Sequence, residues 1–118
     1  MASTKDVLDR HLTCMMKGDL EGTLSDYAVD AVVLTPGGPV KGHNEMRPGL
    51  QALMAEFVRP GVSLSVKQQC IDGEYAYLIW AAETPDNVYE IGSDTFHVKD
   101  GRILAQSYVF KTTPKSRG

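Results

Sequence analysis

Cysteine is scarce in this chain: Cys14 and Cys70 are the only two among 118 residues. That excludes a disulfide-stapled scaffold and leaves too few thiols for a structural zinc site. Both read as free, buried residues, with one disulfide between them as the alternative. Long apolar runs are also missing, and none approaches the ~20 residues that a membrane helix requires. The opening segment MASTKDVLDRH carries charges where a secretory signal has an apolar stretch. No membrane partner and a cytoplasmic location are therefore expected. Positive charge is not in excess either. Twelve Lys and Arg face 15 Asp and Glu, for a net charge of -3. The one basic cluster is Lys111, Lys115 and Arg117 near the end. Nucleic-acid binding needs a basic face or stripe, so no nucleic-acid partner is expected. There is no glycine-rich phosphate loop and no serine nucleophile elbow, and neither cofactor nor metal is expected.

What is present describes one globular domain over residues 1–118. Hydrophobic residues make up 42% of the chain and charged residues 23%, close to globular averages. A domain of this length buries roughly two-thirds of its unfolded surface. Ser3 or Thr4 can cap a helix, with Asp6 placed to answer Ser3. Val7, Leu8, His11, Leu12 and Met15 then recur at helical spacing, and Gly18 ends the helix. Asp19 caps a second short helix carrying Leu20 and Leu24. A strand over Ala31–Thr35 stops at Pro36-Gly37-Gly38. A third helix is expected over about 44–58, firm only from Pro48, because proline suits a first turn and not an interior. Leu50, Leu53, Met54 and Phe57 form its apolar stripe. Strands follow over Val62–Ile71, Tyr75–Thr84, Val88–Val98 and Arg102–Thr112. Asp72-Gly73, Pro85-Asp86-Asn87 and Asp100-Gly101 are the turns between them. The tail Pro114–Gly118 should be loose. Three helices followed by an antiparallel meander make an α+β domain.

Two stretches carry a resemblance. GDLEGTLSDYAVDAVVLTPGG followed by KGH has a Gly-Asp opening a short helix, a Tyr-Ala-x-Asp-Ala strand start and a Pro-Gly turn before the next helix. SDTFHVKDGRI has an Asp followed by alternating apolar residues and an Asp-Gly turn. Together they resemble the SnoaL-like, nuclear transport factor 2-like superfamily, with ketosteroid isomerase and polyketide cyclase relatives. The resemblance implies a cone-shaped, curved antiparallel sheet whose concave face and three N-terminal helices enclose a pocket. It also implies a homodimer through the convex face. It does not fix a reaction, since one fold hosts many.

Asp94 shares a strand face with Gly92, Phe96 and Val98. A carboxylate on so apolar a face either finds partners or takes up a proton. The resemblance matches Asp94 to the oxyanion Asp of the isomerases and to the acid/base Asp of the cyclases. A plainer reading leaves it accepting bonds from a nearby turn or from Ser93 and Thr95. His11 lies on the apolar stripe of the first helix and reads either as a satisfied core residue or, by resemblance to the isomerase oxyanion tyrosine, as the partner of Asp94. In the second reading the carboxylate orients the imidazole and raises its pKa. Thr35 stands where the isomerases place their proton-shuttling Asp, and threonine cannot be that base. Ketosteroid isomerisation by the family's route is therefore not expected. His97 falls on the opposite strand face from Asp94, and His43 sits at the start of a helix. No Arg stands between acidic residues inside a strand, as the epoxide-hydrolase form of the fold requires.

The rest of the pocket wall is expected from Tyr27, Leu50, Met54, Leu78, Trp80, Phe96, Gln106, Tyr108 and Phe110, with Thr35 beside them. Most of these could equally be plain core. The functional expectation is a cofactor-free acid/base enzyme of isomerase, cyclase or dehydratase type, acting on an apolar carbonyl-bearing substrate. The alternatives are a non-catalytic carrier of a small hydrophobic ligand and a protein-interaction domain of the same fold.

Overall fold

The computed structural model describes residues 2–115. Helix α1 (Thr4–Lys17) starts with the expected reciprocal cap: the Ser3 hydroxyl accepts from the Asp6 N–H at 3.1 Å, and the Ser3 N–H donates to the Asp6 carboxylate at 3.2 Å. It ends at Gly18, whose φ of 71° is adopted most readily by a residue without a Cβ. Helix α2 (Leu20–Ser25) is capped by Asp19, which accepts from the Gly22 N–H at 2.9 Å.

Strands β1 (Tyr27–Thr35) and β2 (Gly38–Lys41) form a hairpin before helix α3 (Gly42–Phe57). Then come β3 (Ser63–Asp72), β4 (Tyr75–Glu83), β5 (Asn87–Lys99) and β6 (Arg102–Pro114). The six strands form one unclosed sheet in the order β2-β1-β6-β5-β4-β3. Every pair is antiparallel except β1 with β6, which run parallel, with Val33 opposite Gln106. The meander is thus four strands of six, and the β1–β2 hairpin is stitched to its last strand.

Several boundaries depart from the sequence expectation. β1 begins four residues earlier, at Tyr27, and β2 was not foreseen. α3 runs unbroken from Gly42, so Pro48 lies in its interior and not in its first turn. Lacking an N–H, Pro48 leaves the carbonyl of Asn44 without its helical partner. Pro114 belongs to β6, and the Lys115 N–H donates to the Asp86 carbonyl at 2.8 Å. The expected loose tail is tied down at least that far, and residues 116–118, with Arg117, lie outside the described residues. The two cysteines are free, but Cys14 is only half-buried and Cys70 is exposed.

Curvature positions the site. Register shifts fall between Val66 and Gln68, Trp80 and Ala82, and Tyr89 and Ile91. Val66 pairs with Trp80, and Trp80 pairs with Gly92, so these shifts lie along one line across three neighbouring strands. Such irregularities bend a sheet and sharpen its twist. The bend turns β3–β6 into a concave surface that α1 and α3 face. No helix among the described residues is long and apolar enough to cross a membrane.

The far end of the concavity is held by one side chain. The Glu56 carboxylate accepts from the Thr84 hydroxyl at 2.6 Å, the Asn87 amide at 2.8 Å and the Tyr89 hydroxyl at 2.7 Å. It thereby pins α3 to the β4–β5 turn. Burial pushes its pKa up, but the three donors outweigh that and hold it below the ordinary value. Replacing Glu56 with Ala strands three donors and should lower unfolding free energy by about 2–3 kcal/mol. Urea denaturation followed by circular dichroism checks this, and Glu56→Gln should lose distinctly less.

Candidate functional site

Between the concave sheet face and the helices lies a cavity of about 450 Å³. Its walls come from α1 (His11, Leu12, Met15), α3 (Met46, Leu50, Leu53, Glu56, Phe57), β1 (Tyr27, Val33, Thr35) and β3–β6. Alternation puts Leu78 and Trp80 of β4, Asp94 and Phe96 of β5, and Gln106, Tyr108 and Phe110 of β6 on the inner face. All the residues expected in the wall line this cavity except Met54. Met54 is buried, 4% exposed, without reaching the cavity surface.

The polar groups of the wall form a chain across four neighbouring strands. On β1 the Tyr27 hydroxyl donates to Gln106 Oε1 of β6. Gln106 Nε2 donates to Asp94 Oδ1 of β5 at 3.0 Å, and Trp80 Nε1 of β4 donates to Asp94 Oδ2 at 2.7 Å. Burial raises the Asp94 pKa above the ordinary carboxylate value, while the bonds from Trp80 and Gln106 pull it back in part. Burial also raises Tyr27 and Tyr108, with the Asp94 charge adding to both. Gly92 is part of the same arrangement. It faces Trp80 across β4–β5, and a methyl group in its place would overlap the indole ring.

The expected hydrogen bond between His11 and Asp94 is not formed. Both residues line the cavity, but the Asp94 oxygens are taken by Trp80 and Gln106. The His11 ring packs edge-on against Tyr27 and Phe96, with centroids 5.4 and 5.8 Å away. Its pKa is lowered by burial to about 4, opposite to the rise expected from a carboxylate partner. The carboxylate beside it is Asp26, whose Oδ2 lies 3.9 Å from Nδ1.

Thr35 reaches the cavity but its hydroxyl serves the β1–β2 turn. It donates to the Gly38 carbonyl at 2.9 Å and accepts from the Gly37 N–H at 3.1 Å. His43 Nε2 lies 3.0 Å from the Tyr27 carbonyl and braces β1. His97 pairs with Glu74 at 2.9 Å and stacks on Tyr75, away from the cavity. Among the described residues no group of His, Cys, Asp and Glu is arranged to hold a metal ion. Sequence reasoning missed Glu56 as a wall residue. It sits three residues after Leu53, at the edge of the inward stripe, and helical spacing alone could have flagged it.

A family profile described as the SnoaL-like domain matches residues 8–106. No sequence among the curated proteins matches the chain. Among solved structures, the chain is similar to a ketosteroid isomerase-like protein from Kribbella flavida DSM 17836, at 16% identity and TM-score 0.75, covering 98% of this chain and 82% of that one. It is similar to an NTF2-like protein from Cytophaga hutchinsonii ATCC 33406, at 13% identity and TM-score 0.76, covering 94% and 92%. It is also similar to SalBIII, an epoxide hydrolase/cyclase-like enzyme of pyran ring formation in the polyether salinomycin. That match has 14% identity and TM-score 0.78, covering 92% and 90%. At these identities the similarity shows the fold, and no Arg among the described residues lines the cavity.

The lowered His11 pKa has a sign that stability must follow. The unfolded chain binds a proton near pH 6.5 and the folded one only near pH 4. Stabilisation from neutral His11 is full above pH 6.5 and is lost as pH falls toward 4. Asp94, with its raised pKa, works in the opposite direction, so the histidine is isolated by comparison with His11→Gln. Urea midpoints at pH 7.5 and 5.0 should show the wild type losing about 2 kcal/mol more than the variant.

Proposed function

The chain belongs to the SnoaL-like domain family, and on that premise we propose that it is a cofactor-free enzyme that moves a proton on an apolar, carbonyl-bearing small molecule. The reaction is of isomerase, cyclase or dehydratase type. One observation carries the reading: the Asp94 carboxyl stands in an apolar cavity, its pKa raised by burial and its orientation fixed by Trp80 and Gln106. A carboxyl group so placed exchanges a proton with a substrate at far less cost than one in water. The cavity size is in the range of small-molecule sites. Asp94 is the acid/base, and His11, neutral at physiological pH, is a second proton acceptor in the same wall. Tyr27, Leu50, Leu78, Trp80, Phe96, Gln106, Tyr108 and Phe110 hold the apolar body of the substrate. Thr35 cannot shuttle a proton as a carboxylate does, so the double-bond shift by the ketosteroid isomerases' route is not expected.

A non-catalytic carrier of a hydrophobic ligand is the second reading. It is favoured by the two hydrogen bonds that already occupy Asp94. We also propose a cytoplasmic homodimer joined through the outer sheet face, where Tyr75, Ile91 and Val109 stay exposed.

Proton exchange separates the two readings. With tetralone and decalone as probe ketones in deuterated water, the wild type should accelerate α-proton exchange as read by NMR. Asp94→Asn should lose about 10²–10⁴-fold of that rate while calorimetry finds ketone affinity nearly unchanged. Equal rates for variant and wild type would remove Asp94 from the chemistry, and binding without exchange in both would favour the carrier. Sedimentation equilibrium should return twice the chain mass, and a monomer mass would remove the dimer.

A further inference from the structure

Outside the Asp94 chain, a second buried acidic group lies at the junction of α1, α2 and β1. Asp26 is the last residue before β1 and is fully buried. Its Oδ1 accepts from Arg10 Nε of α1 at 2.5 Å. Its Oδ2 is buried without a hydrogen-bond partner, and so is Nδ1 of His11. The two unpartnered atoms are 3.9 Å apart. His11 is 5% exposed and Asp26 0%, so neither atom can turn to solvent for a partner. A buried polar atom left unpaired costs about 1–3 kcal/mol. A donor on Nδ1 facing an acceptor on Oδ2 is the favourable electrostatic arrangement, and it becomes a hydrogen bond if the gap closes by about 0.7 Å. The reverse arrangement, with a lone pair on Nδ1 against the carboxylate oxygen, opposes two acceptors in a dry site.

We propose that Asp26 is the positioning residue of His11: its Oδ2 holds the proton of the neutral imidazole on Nδ1 and leaves the Nε2 lone pair for the cavity. Two features of the surroundings support this direction. Arg10 supplies a fixed positive partner on the far oxygen; burial raises the Asp26 pKa, and Arg10 with Arg102 offsets part of that rise. The backbone of Asp26 is also locked, since its carbonyl accepts from the Ile103 N–H at 2.7 Å and its N–H donates to the Thr23 carbonyl at 3.1 Å. The carboxylate is therefore held in place by both neighbours before His11 is considered. The consequence for chemistry rests on the reading of the cavity as an acid/base site: with Nδ1 committed to Asp26, His11 enters the reaction as a base through Nε2.

The tautomer can be read without any substrate. With ¹⁵N-labelled histidine at pH 7.5, long-range proton–nitrogen correlation distinguishes Nδ1–H from Nε2–H, and His11→Gln assigns the signals. The expected wild-type result is Nδ1–H, the reverse of the tautomer that free imidazole side chains favour in water. Asp26→Asn supplies the complementary test. Arg10 still requires an oxygen, so the new amide nitrogen takes the place of Oδ2 and donates to Nδ1, which moves the ring proton to Nε2. Nε2–H in the wild type, or the same tautomer in both proteins, overturns the assignment. Neither result depends on turnover, so a failed tautomer test leaves the role of Asp94 standing, and a failed exchange assay leaves the tautomer result standing. Should exchange be found, Asp26→Asn should slow it while ketone affinity holds, because the variant buries the base lone pair.

Discussion

A carboxylate inside an apolar concavity must draw its hydrogen bonds from the sheet that surrounds it. That constraint organises this molecule. Asp94 is satisfied by Trp80 and Gln106, and Gln106 is itself oriented by Tyr27. The four side chains come from β4, β5, β6 and β1, which are consecutive in the sheet. The polar chain therefore exists only if all four strands pair in register, and a slip of one residue would turn each member to the other face. Gly92 belongs to this constraint too, because the indole that reaches Asp94 lies over the space where a side chain would stand. The bend in the sheet, the missing Cβ and the hydrogen-bond chain meet at the same place.

What was legible in the sequence was local. The Ser3–Asp6 cap and the Asp100-Gly101 turn are short-range devices, and the two turn residues have φ of 54° and 76° as a two-residue hairpin turn requires. Alternation placed Leu78, Trp80, Asp94, Phe96, Gln106 and Tyr108 on the inner face, because period two needs no knowledge of neighbours. The quoted motifs carried the rest of the fold. They could not show β2 or the parallel docking of β1 on β6, which joins residues more than 70 positions apart. Pro48 misled the reading of α3, because a proline that tertiary packing tolerates looks like a boundary in sequence.

The site was less legible than the fold, for a physical reason. Helical spacing sets Glu56 at the edge of the inward stripe, but its partners Thr84, Asn87 and Tyr89 come from 28, 31 and 33 residues away. For His11 the sequence points to Asp94, while the carboxylate beside its Nδ1 is Asp26, 3.9 Å away. Asp94 was the carboxylate that the pattern made conspicuous, whereas Asp26 sits at a helix end, where an acidic residue ordinarily attracts no notice. Only the folded chain shows that Asp26 is buried, and only the register of β4, β5 and β6 shows that Asp94 is already engaged. Pairings of this kind are decided by the enclosure, which no window of sequence contains.

Trp80 is the only tryptophan in the chain. Its indole N–H is bonded to Asp94, and its ring lines the cavity. The chain thus contains a single indole, and it is hydrogen-bonded to the buried carboxyl of the cavity. Emission excited at the red edge of absorption, where tyrosine does not absorb, is therefore a one-residue signal, free of the averaging that several indoles impose. Any occupant of the cavity, and any change in the charge on Asp94, writes directly into its wavelength and yield.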